Sequence, residues 1–275
     1  MIHIAYAGNK FVFKGILLSV MSIIKHCSEP ITIHILTMDF TEQKPSYLSI
    51  SDEQIDLLNN IIRKVNPSNC VVKHDMRNYY IQYFANGANK NSEYTPYTML
   101  RLFFDLPANI PDKIIYIDVD TMVLKDITEM YNIDMTEYEV GAVLDYMGKF
   151  WIAPTYCNAG VLLLNMAKIK QTKLFDKCRE RVIKKWMKMP DQSAIHKCVQ
   201  YKMYLPSKYN EQRDIKPDTM IKHFNKGIKW TPFFHIYNIK QWDFKNVHKK
   251  LNIHDFDDIF DIFTNLTNKY PCILN

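Results

Sequence analysis

Three features of the sequence predict an α/β fold: a Rossmann-like, mixed but mainly parallel sheet flanked by helices, with a small helical C-terminal appendage. The chain opens strand, helix, strand. Ile2 to Ala7 is an apolar run, Val12 to Cys27 carries Ile16, Val20, Ile23 and Ile24 at helical spacing, and Ile31 to Thr37 follows Pro30. Such an opening favours parallel strands joined by right-handed crossovers. Second, Lys113-Ile114-Ile115-Tyr116-Ile117 runs into Asp118-Val119-Asp120-Thr121 after Pro111, the pattern of a buried strand that ends in carboxylates. Third, 47% hydrophobic residues in 275 supply enough core for one large α/β domain or two small ones.

The remaining elements follow from local signals. Ser51 as cap with Gln54 in the capping-box position starts a helix carrying Ile55, Leu58, Ile61 and Ile62. Cys70 to His74 is a short strand, and Tyr79 to Glu93, rich in Asn and Tyr, reads as a loop over a ligand. Pro96 opens a helix from Tyr97 to Leu106. Beyond the central strand come strands at Thr121 to Leu124 and Glu139 to Asp145, a loop from Tyr146 to Tyr156, and a strand through Gly160 to Leu164. Helices Lys173 to Met187 and Asp191 to Val199 precede a strand near Lys202 to Leu205. In the first of these helices Leu174, Cys178, Val182 and Trp186 form an apolar stripe. Its lysines and arginines lie on other faces, either simply solvated or turned to an anionic surface or acceptor. Phe256, Ile259, Phe260 and Phe263 define an acidic amphipathic helix packed on the body.

Composition removes several function classes. No run of about 18 apolar residues is present, so no membrane-spanning helix is expected. A start directly on a strand-like segment, without a charged leader, predicts a cytoplasmic protein. Six cysteines lie far apart with no C-x-x-C pair, against a zinc knuckle or disulfide framework. The net charge of +6 is spread along the chain, and no basic-aromatic motif of a known nucleic-acid-binding module occurs, so nucleic acid is not an expected partner. From Phe233 to Lys250 the chain mixes aromatics with cations. That composition suits either a helix on the inner face of a membrane, making a peripheral contact there, or the last helix of a globular domain.

Two carboxylates on one side of a strand end repel each other unless a cation or proton lies between them, and oxygen ligands suit a hard divalent ion. Side chains alternate along a strand, so Asp118 and Asp120 at its end are expected to face the same way. The alternative is a strand-end turn in which both bond backbone N–H groups.

Six segments in fixed order carry a family resemblance: Ala5-Tyr6-Ala7-Gly8-Asn9, Tyr97 to Arg101, Asp118-Val119-Asp120, Asn158-Ala159-Gly160 to Asn165, Asp191-Gln192, and His223-Phe224-Asn225-Lys226-Gly227 to Trp230. Over residues 1 to 232 the chain resembles glycosyltransferase family 8, the group of glycogenin and bacterial lipopolysaccharide galactosyl- and glucosyltransferases. The resemblance implies a GT-A type domain over 1–232, with 233–275 as the appendage. It implies a retaining hexosyltransferase that moves glucose or galactose from a UDP-sugar to a saccharide or lipid-linked saccharide acceptor in cell-surface glycan synthesis. Asp118, Asp120 and His223 would hold Mn²⁺, or Mg²⁺ less well. Ala7, Asn9 and Val119 would meet the nucleoside, and Arg101 the diphosphate. Asp145, Asn158, Asp191 and Gln192 would hold the donor sugar, with Gln192 below the ring, and Lys229 would neutralise the departing diphosphate.

Each assignment has a plainer counterpart: a turn residue for Asn9, a surface arginine for Arg101, strand-flanking hydrogen bonds for Asn158 and Asn165, and a helix cap for Asp191. Gly8-Asn9-Lys10-Phe11 departs from the Asp-Asp-Asn-Tyr of the bacterial members, and His235 with Lys240 forms a rival to His223 with Lys229. A haloacid dehalogenase-type phosphohydrolase is the first alternative, although Met122 stands where that class wants Thr or Val. A catalytically silent sugar-nucleotide binder is the second.

Overall fold

The computed structural model describes residues 1–229 and 235–274, and of Lys229 and His235 only the backbone. The strands are β1 (Ile2–Ala7), β2 (Ile31–Thr37), β3 (Cys70–Asp75), β4 (Lys113–Ile117), β5 (Thr121–Val123), β6 (Val140–Leu144), β7 (Cys157–Asn165), β8 (Lys202–Tyr204), β9 (Ile221–His223), β10 (Gly227–Lys229) and β11 (His235–Tyr237). Seven form one sheet in the order β3-β2-β1-β4-β7-β6-β8, and within it only β7 runs against the others. The expected mixed, mainly parallel sheet is therefore present.

Helices cover both faces, as a largely parallel sheet requires. On one face Ile4, Tyr6, Ile33, Ile35, Ile115 and Ile117 pack with residues of helices Phe13–His26, Asp52–Val65 and Asp257–Lys269. On the other, Ala5, Ala7, Leu36, Leu162 and Leu164 meet Leu100, Phe103, Phe175 and Cys178 from Pro96–Phe103 and Leu174–Lys184. The capping box forms as expected: Gln54 N donates to Ser51 Oγ at 3.3 Å and Ser51 N to Gln54 Oε1 at 3.1 Å.

Several expectations are corrected. β4 stops at Ile117, and Asp118 to Asp120 turn the chain into β5, which leaves the main sheet to pair antiparallel with β9. The expected loop from Tyr79 begins inside a helix, Arg77–Tyr83, because Tyr80 is buried against the rings of Phe40 and Phe84. The helix opened by Pro96 is a 3₁₀ helix ending at Phe103, and the loop from Tyr146 contains a turn of helix at Gly148–Trp151. Trp186 leaves the apolar stripe and is 68% exposed. Its helix ends at Lys184 because Asn89 Nδ2 takes up the terminal carbonyls of Val182 and Lys185, at 2.6 and 2.7 Å.

The C-terminal segment packs into the same core. Val247, Phe256, Ile259, Phe260 and Phe263 are buried with the β1 and β2 residues, and Phe244 stacks on Phe260 at 4.2 Å between ring centres. Aromatics of the segment considered for an interfacial helix thus face protein, while Phe233 and Phe234 lie outside the described residues. Among the described residues no helix is long and apolar enough to cross a membrane.

Candidate active site

β1 and β4 are parallel neighbours, but the chain leaves β1 for β2 on its other side. The crossovers part there, which opens a crevice beyond the carboxyl ends of the two strands. Gly8 and Asn9 leave β1 at this point, and Asp118, Val119 and Asp120 leave β4. Gly15 lets the first helix close on this turn: a Cβ there would lie 2.5 Å from Val119 O and 2.6 Å from the Trp242 ring. Gln241, wholly buried, donates from Nε2 to Val119 O at 2.7 Å. The Asp-Val-Asp turn is thus clamped from two sides.

Pairing of Thr121 with His223 across β5 and β9 brings the histidine to the aspartates. Oxygens of Asp118 and Asp120 and a ring nitrogen of His223 all lie within 4.8 Å of one another. His223 Nε2 is 3.2 Å from Asp120 Oδ1, while Nδ1 is 3.0 Å from Asn210 Oδ1. That second contact fixes the ring and, with the proton on Nδ1, turns the Nε2 lone pair toward the carboxylates. Gly160 keeps the space open. A Cβ there would lie 2.3 Å from His223 Cε1 and 2.9 Å from Asp118 Oδ2. Two carboxylates and an imidazole around a cradle that a single methyl would fill fit a divalent ion.

A cation already touches this group. Lys240 Nζ reaches Asp120 Oδ2 at 2.5 Å and Phe224 O at 3.0 Å. Burial opposes charge on Asp120, but His223 and Lys240 hold its carboxyl below the usual range. Lys229, the lysine expected here, has its backbone in β10 and its side chain outside the described residues.

Arg101 is buried and spans the crevice. Its Nη2 donates to Asp118 Oδ1 at 2.8 Å, Nη1 to Ala159 O at 2.6 Å, and Nε lies 3.0 Å from Asp191 Oδ2. Tyr116 OH donates to the same Asp118 oxygen at 2.5 Å, and its ring lies 4.6 Å from the guanidinium. Burial works against the charge of Arg101, yet Asp118, Tyr116 and Asp191 leave its pKa raised. Asp191 shows the converse: burial raises its carboxyl, and Arg101 only partly opposes this. Asp191 is in the first turn of Pro190–Cys198, whose cap position is Met189 without a side-chain bond, so the helix-cap alternative does not hold.

Asp145, Asn158 and Gln192 form one network. Asp145 Oδ2 accepts from Asn158 Nδ2 at 2.9 Å and Gln192 Nε2 at 3.1 Å. Asp145 Oδ1 accepts from the backbone N–H groups of Met147 and Gly148 at 3.1 and 2.6 Å. Gln192 Oε1 takes the Ala159 N–H at 3.0 Å, and Asn158 Oδ1 takes Asn210 Nδ2 at 2.9 Å. Of the predicted residues, Ala7 ends β1 and is buried, and Asn9 accepts the Val12 N–H at 3.3 Å, so the turn role of Asn9 is realised. Asn165 caps the following helix through Lys168 N at 3.0 Å, away from the site.

Asn210, Tyr116 and Gln241 went unseen in the sequence. The one signal beside them is Lys240, named in the sequence with His235 as the rival pair to His223 and Lys229.

A family model described as glycosyl transferase family 8 matches residues 3–244. A Haemophilus influenzae protein named as a glycosyltransferase is 27% identical over 193 residues, 64% of this chain and 52% of that one. Glycosyltransferase GlyA of Streptococcus pneumoniae is 31% identical over 97 residues, 35% of this chain and 14% of that one. The matches therefore span about half or less of the length of these curated relatives. Galactosyltransferase LgtC, solved in complex with donor and acceptor sugar analogues, superposes with a TM-score of 0.63 at 17% identity, covering 99% of this chain and 100% of that one. The apo structure of the bifunctional glycosyltransferase WbbM gives a TM-score of 0.69 at 16% identity, covering 96% of this chain and 50% of that one. The likeness to these structures shows a GT-A type fold. With nearly the whole length matched by the family model, from the strand that opens the sheet to the segment beyond Lys240, this chain belongs to glycosyltransferase family 8.

Proposed function

We propose that this transferase moves a hexose, glucose or galactose, from a UDP-sugar to a saccharide acceptor with retention of configuration, in the synthesis of a cell-surface glycan. One observation carries the reading: Asp118, Asp120 and His223 converge beside the buried Arg101 at the crevice between β1 and β4. These three residues would hold a divalent ion, and two carboxylates with one imidazole favour Mn²⁺ over Mg²⁺. When bound, the ion supplies positive charge against the diphosphate that departs.

The chain's own residues then divide the work. Arg101 is always charged and its fork suits paired oxygens, so it would answer the diphosphate beside the ion that Asp118 would help to hold. Lys240 stands within reach to neutralise the leaving group, the role the family resemblance implies for Lys229. Ala7, Asn9 and Val119 border the crevice where the nucleoside would lie. Asp145, Asn158, Asp191 and Gln192 would receive the sugar hydroxyls. The Gln192 amide is tied to Ala159 N and Asp145, which suits a positioning group below the ring better than a nucleophile. Retention then follows from same-face attack. The bond from the anomeric carbon to the phosphate oxygen breaks, the acceptor oxygen bonds to that carbon, and the acceptor proton passes to the leaving phosphate.

LgtC, a galactosyltransferase solved with donor and acceptor sugar analogues, supports a sugar donor and a sugar acceptor as partners. All six cysteines are free, in keeping with a reducing, cytoplasmic setting. The test is UDP release from a panel of UDP-sugars, with Mn²⁺ and with chelator. Release from one sugar, lost with chelator, is expected. UDP binding without release from any sugar, even with saccharide acceptors added, would favour the silent binder.

A further inference from the structure

A second group of convergent ligands lies away from the crevice. The short helix Phe244–Asn246 passes into a π-helical turn, Val247–Leu251, which Asn252 ends in the left-handed region at φ 53°. The chain reverses there, so the ring of His254 stacks on that of His248, 4.6 Å between centres and 15° from parallel. Helix Asp257–Lys269 then starts, and its first residue turns back onto both rings. Asp257 Oδ1 is 2.7 Å from His248 Nε2, and Asp257 Oδ2 is 3.2 Å from His254 Nδ1. One ligand atom from each of the three lies within 4.8 Å of the others.

We propose that His248, His254 and Asp257 form a second divalent-cation site, selective for zinc-class ions over Mn²⁺ and Mg²⁺. Two imidazoles and one carboxylate make a nitrogen-rich set that suits Zn²⁺, whereas the crevice offers the reverse ratio. Proton placement permits it. Each neutral ring carries one proton, and with it on Nδ1 of His248 and Nε2 of His254 both converging nitrogens present lone pairs. Solvent reaches the group, since the His254 side chain is 58% exposed, so water can complete the shell. The neighbouring Lys249 and Lys250 lower the affinity without changing the preference for nitrogen ligands.

The site would tie down the segment that serves the crevice. Lys240, Gln241 and Trp242 clamp the Asp118 to Asp120 turn, and Phe244, which follows them, stacks on Phe260 of the helix that Asp257 begins. An ion bridging His248 and His254 to Asp257 would fasten this return strap to the body at a second point.

Zinc titration of the full, metal-stripped chain at pH 7.5 tests this, by calorimetry and by the visible absorption of Co²⁺ as a stand-in. Asp120→Asn is the background, because it removes the crevice as a competing site. There one equivalent of Zn²⁺ is expected, and Zn²⁺ but not Mg²⁺ should raise the melting temperature. Adding His254→Ala, at an exposed position, or Asp257→Asn should weaken that equivalent on the order of 10-fold or more. In the otherwise native chain, His254→Ala should leave Mn²⁺-dependent UDP affinity in place. Zinc stoichiometry and affinity unchanged by both substitutions, or no zinc bound in the Asp120→Asn background, would overturn the proposal.

Discussion

Arg101 and Arg179 are both buried guanidinium groups resting on tyrosine rings, and they are spent in different ways. Arg179 closes on itself. Its two terminal nitrogens grip both oxygens of Asp105 at 2.6 and 2.7 Å, with Asp176 at 2.5 Å and Leu102 O at 2.6 Å. The pair joins helix Leu174–Lys184 to the end of Pro96–Phe103, all scaffold. Arg101 is divided between Asp118 at the end of β4 and Asp191 on the helix Pro190–Cys198. Asp118 keeps its second oxygen beside Gly160 and His223, turned into the crevice. A fork that satisfies one carboxylate completely builds structure. One that is shared between two holds both in place and leaves an oxygen of Asp118 facing the crevice, able to take a further cation.

The largest effect that could break this contrast is on stability. Arg179→Met leaves the largely covered Asp105 without its partner and should cost about 3–5 kcal/mol in denaturant unfolding, with metal and UDP affinity intact in the folded fraction. A loss under about 1 kcal/mol would mean the closed cluster is not structural. On the open side, Asp120→Asn should lower Mn²⁺-dependent UDP affinity by about 10²-fold or more, read by calorimetry, and an unchanged affinity removes the ion site from the crevice. Next comes Arg101→Lys, which keeps the charge but not the fork. It should reduce turnover by about 10²-fold while the melting temperature moves little, and equal damage to both readouts would merge the two clusters into one kind.

Asn210→Ala sharpens the contrast by one shell. It frees the His223 ring and should weaken Mn²⁺ binding by about 10- to 100-fold without touching an ion ligand. The effect that is smallest at neutral pH is a pH slope that neither arginine supplies. His34 sits in a row with His3 and His74, at 3.2 and 3.1 Å between ring nitrogens, and burial, then His74 and His3, push its pKa down to about 3 from 6.5. The unfolded chain therefore binds a proton below pH 6.5 that the folded chain refuses until about pH 3. This contribution is whole above 6.5 and is lost as pH falls toward 3. His34→Gln should flatten that decline, by at most about 1.4 kcal/mol per pH unit, in unfolding curves taken across the window.

Local patterns made much of this chain legible. Periodicity located β1, β2 and the helix between them because each buries one face against the sheet, and the capping box at Ser51 announced its helix through two adjacent hydrogen bonds. Asp118, Asp120, His223 and Arg101 stood out as residue types that chemistry needs, in an order the family shares. The turn at Asp118 was misread as strand because alternation alone does not mark where a strand leaves its sheet, and here β5 departs to pair with β9. Trp186 matched its helical stripe, but Asn89 closes that helix from nearly a hundred positions away in sequence.

What the sequence determined by itself was the set of elements and the identity of the charged groups, since propensity, capping and burial act over a few residues. Which groups meet was decided only by the fold. Lys240 reaches Asp120 across 120 positions, Asn210 braces His223 from 13 away, and Arg179 finds Asp105 across 74. The order β3-β2-β1-β4-β7-β6-β8 sets those encounters. Their energies come from pairs of side chains held a few ångström apart by elements that share no local pattern, so the pattern along the chain does not announce them.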